Sequence, residues 1–292
     1  MEKLSQKINF YMIFEIIMAN PGGDPNNKNK PREIGKDKLG LISQESIKRL
    51  IRDEIDYLYK GNILLVRREC DPKHNIKDRF YSNKEIQKAL KEDNLKKIIQ
   101  TTCENWYDAR AFGEVFTEET PKDKDKDEKI KRVDSFHITG PVTMFDAISF
   151  APIETVDIGI TASFNRNSHG MMPEPGSIGG ERTVVNHGLY GFFGSINLRD
   201  AERTGFSDED AEILINALRN LFTEKSSAAK PEGSRIVRKL IIWRQPRIYS
   251  VSPDELRESV HVSLKEGVSK PSKYSDYEIE IDDLGVETEI YP

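Results

Sequence analysis

The chain has 292 residues, of which 37% are hydrophobic and 32% charged, and a net charge of −5. That is enough to bury a sizeable core and too apolar for a wholly disordered chain, while no apolar run approaches the roughly 18 residues of a membrane-spanning helix. The polar opening, residues 1–6, lacks the apolar centre of a secretory signal. Cys70 and Cys103 have no ligand-like spacing, so the expectation is a cytoplasmic protein with two reduced thiols.

In chain order, residues 8–18 (INFYMIFEIIM) read as a buried strand, closed by Asn20-Pro21-Gly22-Gly23. A polar loop follows. Residues 43–58 read as a helix, with Ile47, Leu50, Ile51, Ile55 and Leu58 on one face. A short strand-like run at 63–66 precedes helical patterns over 84–116. The charge run 118–132 carries no core-forming residue before Ile130 and reads as a surface loop. Strands are expected at 135–144 and 155–162. Between 163 and 183 the composition turns to Asn, Ser, Gly, Pro and Met, too long for a tight turn and too polar for its own core. A strand over 184–198 follows. Ser207 then caps a helix, with Asp210 at the third position and Leu214, Ala217, Leu218, Leu221 and Phe222 on its apolar face. A last β-rich run covers 236–243. The order strand, helix, strands, helix, strand predicts an α+β fold of the RRM-like (ferredoxin-like) type, with large insertions.

The charge is unevenly spread. Residues 26–52 hold eight Lys/Arg against three acids, and residues 225–247 hold seven against Glu232 alone. Residues 274–292 hold seven acids and no base. Local field, not total charge, decides where a polyanion settles, so the two basic stretches are candidate nucleic-acid contacts. On the first helix, with Lys48 at zero, Arg52 falls at about 40° and Arg49 at about 100°. All three point away from the apolar face and suit spaced phosphates. The alternative is that Glu45–Arg49 and Arg52–Asp56 merely brace the helix as i,i+4 pairs. Pro231-Glu232-Gly233-Ser234-Arg235 is a turn running into a strand with Arg238 and Lys239, where backbone N–H groups and cations could converge on a phosphate. Tyr190-Gly191-Phe192-Phe193 loosely matches an RRM stacking motif, but it lacks the leading basic residue and reads better as core.

Evidence for catalysis is thin. The five histidines have no metal-ligand spacing, there is no P-loop or nucleophile elbow, and Asp24 and Asp108 are isolated acids. The expectation is a protein without catalytic activity, metal or cofactor.

Several segments together resemble one family. Asn20-Pro-Gly-Gly-Asp-Pro25 and Ser43-Gln-Glu-Ser-Ile-Lys-Arg49 with Arg52 resemble the opening of the backbone subunits of type I CRISPR Cascade, the Cas seven family. Asp108-Ala-Arg-Ala-Phe-Gly113 is similar to that family's D-x-R-x-F-G segment. Gly140-Pro-Val142, Ala147-Ile-Ser149, Gly188-Leu-Tyr190 through Ile196, and residues 226–239 follow in the family's order. The opening and the G-L-Y segment look most like the subtype I-C or I-B branch.

The resemblance implies a hand-shaped subunit: a palm at 1–59 and 134–250, fingers at 60–133, a thumb hairpin at 163–187 and an acidic extension at 251–292. It further implies that copies stack in a helical filament along crRNA, beside other Cascade subunits, for pairing with a target DNA strand. The RNA contacts it implies are Asn20, Gly22, Gly23, Lys48, Arg49, Arg52, Gly233, Ser234 and Arg235. Arg166 and Arg182 would lie near phosphates in the thumb. Two other readings stay open: a type III backbone subunit that cleaves target RNA through Asp24, and a stand-alone RRM-type RNA-binding protein.

Overall fold

The structure is a computed structural model that describes residues 3–59, 63–66, 76–117, 135–161, 179–223 and 227–292. The first part of the chain forms β1 (Lys7–Ala19), β2 (Gly23–Asp24), β3 (Lys30–Ile34), β4 (Leu39–Ile42) and α1 (Gln44–Leu58). Next come α2 (Ile76–Ser82), α3 (Lys84–Lys91), α4 (Leu95–Asn105) and α5 (Tyr107–Phe112), then β5 (Gly113–Phe116) and β6 (Phe136–Thr139). The main sheet resumes with β7 (Val142–Met144), β8 (Ala147–Pro152), β9 (Thr155–Thr161) and β10 (Gly179–Ile196). After α6 (Leu198–Thr204) and α7 (Asp208–Arg219) come β11 (Arg235–Gln245), α8 (Pro253–Glu258), β12 (Val260–Leu264), β13 (Tyr277–Ile281) and β14 (Glu287–Tyr291).

Ten strands make one antiparallel sheet in the order β14-β11-β1-β10-β8-β4-β3-β2, with β7 and β9 also on β10. Within it, β11-β1-β10-β8, with α1 after β1 and α7 before β11, is the strand order of a ferredoxin-like unit. The α+β class read from the sequence is the class observed. β1 is apolar almost throughout because both of its faces are covered. Ile8, Phe10, Met12, Phe14 and Ile16 pack toward α1 and α7, whereas Ile13 packs with Leu256, Val260 and Tyr277 from the C-terminal segment. Residues 251–292 are therefore part of the fold: α8 and the β12–β13 hairpin cover the second sheet face, and β14 adds an edge strand to β11.

That second face also buries an ionic cluster. Glu15 accepts from Arg238 Nε at 2.8 Å and lies 2.9 Å from His187 Nε2, while Arg238 stacks over Tyr274 at 4.8 Å. Burial pushes the Glu15 carboxyl up, but the His187 and Arg238 bonds outweigh it and hold it below its ordinary value.

A smaller lobe has its own core: Leu65, Phe80, Ile86, Leu90, Ile98, Trp106, Phe136 and Ile138. It takes in α2–α5 and the β5–β6 hairpin, so β6 belongs to it, beyond the boundary expected at 133. Residues 63–66, read as strand-like, do not pair. The expected strand at 135–144 is divided into β6 and β7 at Gly140-Pro141, and α6 has no counterpart among the expected elements.

The D-A-R-A-F-G segment joins lobe and sheet. Asp108 accepts from Leu65 N (2.7 Å), Val66 N (2.9 Å) and Arg52 Nε (3.1 Å). Arg110 grips Asp210 with two bonds, 2.8 and 2.6 Å, and donates to the Cys103 carbonyl at 3.0 Å. Asp210 also closes the capping box with Ser207 that starts α7. Gly113 has φ +78°, and a Cβ there would stand 2.2 Å from the Ile138 carbonyl oxygen, so only glycine permits this crossing. Arg110→Ala would strand the Asp210 carboxylate, whose side chain is only 2% exposed. The expected loss is about 3–5 kcal/mol in urea unfolding. Arg110→Lys should recover only part of it, because an ammonium cannot reproduce the two-pronged bond.

Candidate nucleic-acid interface

The chain leaves β1 through Asn20-Pro21-Gly22-Gly23, and this loop is fixed from two sides. Asn20 Nδ2 donates to the Asn29 carbonyl at 2.7 Å, and Asn20 N donates to the Ala229 carbonyl at 3.1 Å. The second bond brings the loop beside the turn at 227–230, where Ser227 and Lys230 exchange two backbone bonds of 2.9 Å. The first turns of α1 close the third side. An open cleft of about 650 Å³ results, lined by Pro21, Gly22, Gly23, Glu45, Ser46, Arg49, Leu50, Asp53 and Lys230.

The two glycines differ. A Cβ on Gly23 would lie 2.7 Å from the Asn29 carbonyl oxygen, whereas one on Gly22 would meet nothing closer than Ile42 at 3.7 Å. Gly23 is needed for the loop's own packing, whereas Gly22, whose carbonyl accepts from Arg32 N, has room for a side chain.

Of the three α1 cations, Arg49 lines the cleft and pairs along the helix with Asp53 at 3.2 Å, not with Glu45. Lys48 donates to Gln44 Oε1 at 3.1 Å. Burial lowers its ammonium pKa, with Glu45 opposing and Arg52 reinforcing the shift. Arg52 points elsewhere: it pairs with buried Asp108 and lies 5.0 Å over the Phe112 ring. It braces the lobe, and its expected partner Asp56 is not the one observed at Nε.

The turn at 231–235 is placed near the cleft, but its Ser234 and Arg235 side chains face inward. Gly233 takes φ +75°, the Ser234 hydroxyl donates to the Pro231 carbonyl, and Ile17 N donates to the Ser234 carbonyl at 2.8 Å. Arg235 is buried with its guanidinium 5.0 Å over Phe222, and burial lowers its pKa. Arg182, on β10, donates to the Ala228 carbonyl and so anchors the 227–230 turn. Arg166, with all of residues 162–178, lies outside the described residues.

Lys230, Ser46, Glu45 and Asp53 join the site without being among the residues expected there. For Lys230 the sequence signal is the basic stretch 225–247. Asp24 caps the short turn Pro25–Asn27 by accepting from Asn26 N at 2.9 Å, and lines a separate cleft of about 430 Å³ with Asn26, Asn27, Lys30, Arg32 and Glu33. Among the described residues no group of three or more His, Cys, Asp or Glu is placed to hold a metal ion. Tyr190, Phe192 and Phe193 are all buried, so this aromatic run is core and offers no stacking surface.

The profile of the CRISPR-associated protein Cas7 family matches residues 6–282. The chain belongs to the Cas7 family. A Cas7 protein of Haloferax volcanii is 23% identical over 227 residues, covering 73% of this chain and 64% of that protein, so the chain spans just under two thirds of that relative's length. A chain of a CRISPR RNA-guided surveillance complex in a pre-nicking state superposes with TM-score 0.49 and 13% identity, covering 84% of this chain and 80% of that one. A chain of a type III-B Cmr-beta complex bound to cognate target RNA superposes with TM-score 0.43 and 10% identity, covering 82% and 61%.

In this Cas7-family chain the glycine contrast is directly testable. Gly23→Ala should displace the Asn29 backbone, break the Asn20–Asn29 bond and cost about 1–2 kcal/mol in thermal unfolding. Gly22→Ala should stay within about 0.5 kcal/mol of the parent.

Proposed function

We propose that this chain holds guide RNA by its backbone, as the repeated subunit of a type I CRISPR surveillance complex. Copies would stack along the crRNA in the cytoplasm, with other Cascade subunits at hand, and present the guide for pairing with a target DNA strand. The observation that carries this reading is the cleft itself. A glycine loop faces two cations, Arg49 and Lys230, with Glu45, Ser46 and Asp53 on the same lining. Backbone N–H groups and cations suit phosphates of any sequence, which is what a guide holder requires. The loop sequence Asn20-Pro-Gly-Gly-Asp-Pro25 favours the type I branch, and within it the I-C or I-B subtypes. The role proposed is non-catalytic.

The test compares short single-stranded RNAs of unrelated sequence on the parent, Arg49→Ala and Lys230→Ala proteins across a salt series. Each substitution should weaken all the RNAs by a similar factor and reduce the salt slope by about 0.7 for every phosphate no longer neutralised. A loss confined to one sequence would overturn the backbone-holding reading in favour of a sequence-reading module. Regular cuts in a matching RNA with Mg²⁺ or Mn²⁺, absent in Asp24→Ala, would replace the type I assignment with type III.

A further inference from the structure

Two successive carbonyls hold the turn that carries Lys230. The Ala229 carbonyl accepts from Asn20 N at 3.1 Å, and the Ala228 carbonyl accepts from Arg182 Nη1. The first bond comes from the exit of β1 and the second from β10, so two neighbouring strands grip the turn at once. Those strands are themselves fixed. Ala19, the last residue of β1, pairs with Val185 of β10, and both are fully buried. Beside Arg182, the buried Thr183 donates its hydroxyl to Asp157 of β9, which also receives Lys30 Nζ of β3 at 3.1 Å. Lys30 pairs in register with Asp24, next to Gly23. The β9–β10 pair thus holds one wall of the glycine-loop cleft through Arg182 and the β2–β3 hairpin behind the opposite wall through Lys30.

Arg182 is not itself placed to meet a phosphate in that cleft. It is not among the residues that line it. Its Nη1 is bonded to a backbone carbonyl, and its Nε is shielded from solvent with no acceptor among the described residues. Two of the three guanidinium nitrogens therefore face the chain, whereas recognition of phosphate by arginine uses its donors in a fork toward the ligand. Lys230 stands two residues beyond the bonded carbonyl and does line the cleft. An ammonium is a point charge on a flexible stem, so the position of its backbone decides how readily it meets a phosphate. Fixing that backbone in advance lowers the ordering cost of binding.

We propose that Arg182 is a positioning residue for the RNA site: it places Lys230 at the cleft by holding the Ala228 carbonyl and makes no phosphate contact of its own. The inference rests on the guide-holding function proposed above. It gives Arg182 a different part from the phosphate contact that the family resemblance implies.

The experiment is a double-substitution cycle on the full chain with short single-stranded RNAs of unrelated sequence. Parent, Arg182→Met, Lys230→Ala and the doubly substituted protein are compared across a salt series. Methionine keeps an apolar stem but removes the donor and the charge. Ala228 lies on an exposed turn where water can replace the lost bond, so the urea midpoint should stay close to the parent's. Arg182→Met should weaken binding of every RNA, by no more than Lys230→Ala does. Added to Lys230→Ala, it should change affinity by less than about twofold and leave the salt slope as it was. Without RNA, it should speed amide hydrogen exchange at Ser227 and Lys230, whose N–H groups bond across the turn. Losses that add, each with a slope reduction of about 0.7, would make Arg182 a phosphate contact and overturn the inference while leaving the guide-holding function intact. Parent-like binding by Arg182→Met, unchanged exchange in the turn, or a fall in urea midpoint large enough to account for the lost binding would overturn it as well. If Lys230→Ala bound every RNA as tightly as the parent, Arg182 would have no cation to act through, and the inference would fall with the place of Lys230 in the site. No RNA binding by the parent would remove both the inference and the function it rests on.

Discussion

Two carboxylates, Asp108 and Asp210, sit beneath the surface where the helical lobe meets the sheet, and each is satisfied by an arginine from another element. Buried charge of this kind is tolerable only when every lone pair has a partner, so these contacts constrain everything around them. Asp108 fixes the start of the lobe through two backbone amides and holds α1 through Arg52. Arg110 fixes α7 through Asp210, which at the same time caps that helix. The position of α1 in turn sets one wall of the glycine-loop cleft. The cleft therefore inherits its shape from ion pairs on the far side of the helix that lines it.

This division of labour explains which parts of the site are legible in the sequence. A helical wheel shows that Lys48, Arg49 and Arg52 lie off the apolar face, but not what stands opposite them. Only Arg49 reaches the cleft, because Arg52 lies within reach of an acid 56 residues later in the chain. The same holds for residues 225–247. Arg235 is stacked on Phe222, Arg238 binds Glu15, Arg244 binds Glu212 and Glu289, and Arg247 binds Glu202. Much of the positive charge counted there is paired or stacked within the chain itself. Lys230, on the turn tied to Asn20, is the member that lines the cleft.

The secondary structure shows a similar pattern. α1 and α7 are readable because each is long and carries a helical period, and β1 and β11 because each holds a sustained apolar, β-rich run. The C-terminal segment reads by its charge as an acidic extension, although Tyr277, Ile279 and Ile281 alternate with Glu278 and Glu280 in strict period two. That alternation is a strand with one face on the sheet and its carboxylates in solvent. The boundary of the lobe is not readable, because Phe136 and Ile138 join its core by pairing with β5 across a long stretch of sequence.

The central position of β1 also bears on how the chain is made. Its partners on one side are Ile196 for Ile8 and Val185 for Ala19, and on the other side Arg244 for Ile8. On the ribosome this apolar strand emerges before both strands it pairs with, and more than 160 further residues must follow before its nearest neighbour exists. At about 5–20 residues per second that is roughly 8 to 35 s in which a largely hydrophobic strand has no sheet to join. Such long-range pairing makes folding slow, and the interval is one in which neighbouring nascent chains can pair with each other's first strands. Synthesis of this protein therefore favours conditions that shield β1 until the second half of the sheet has been delivered.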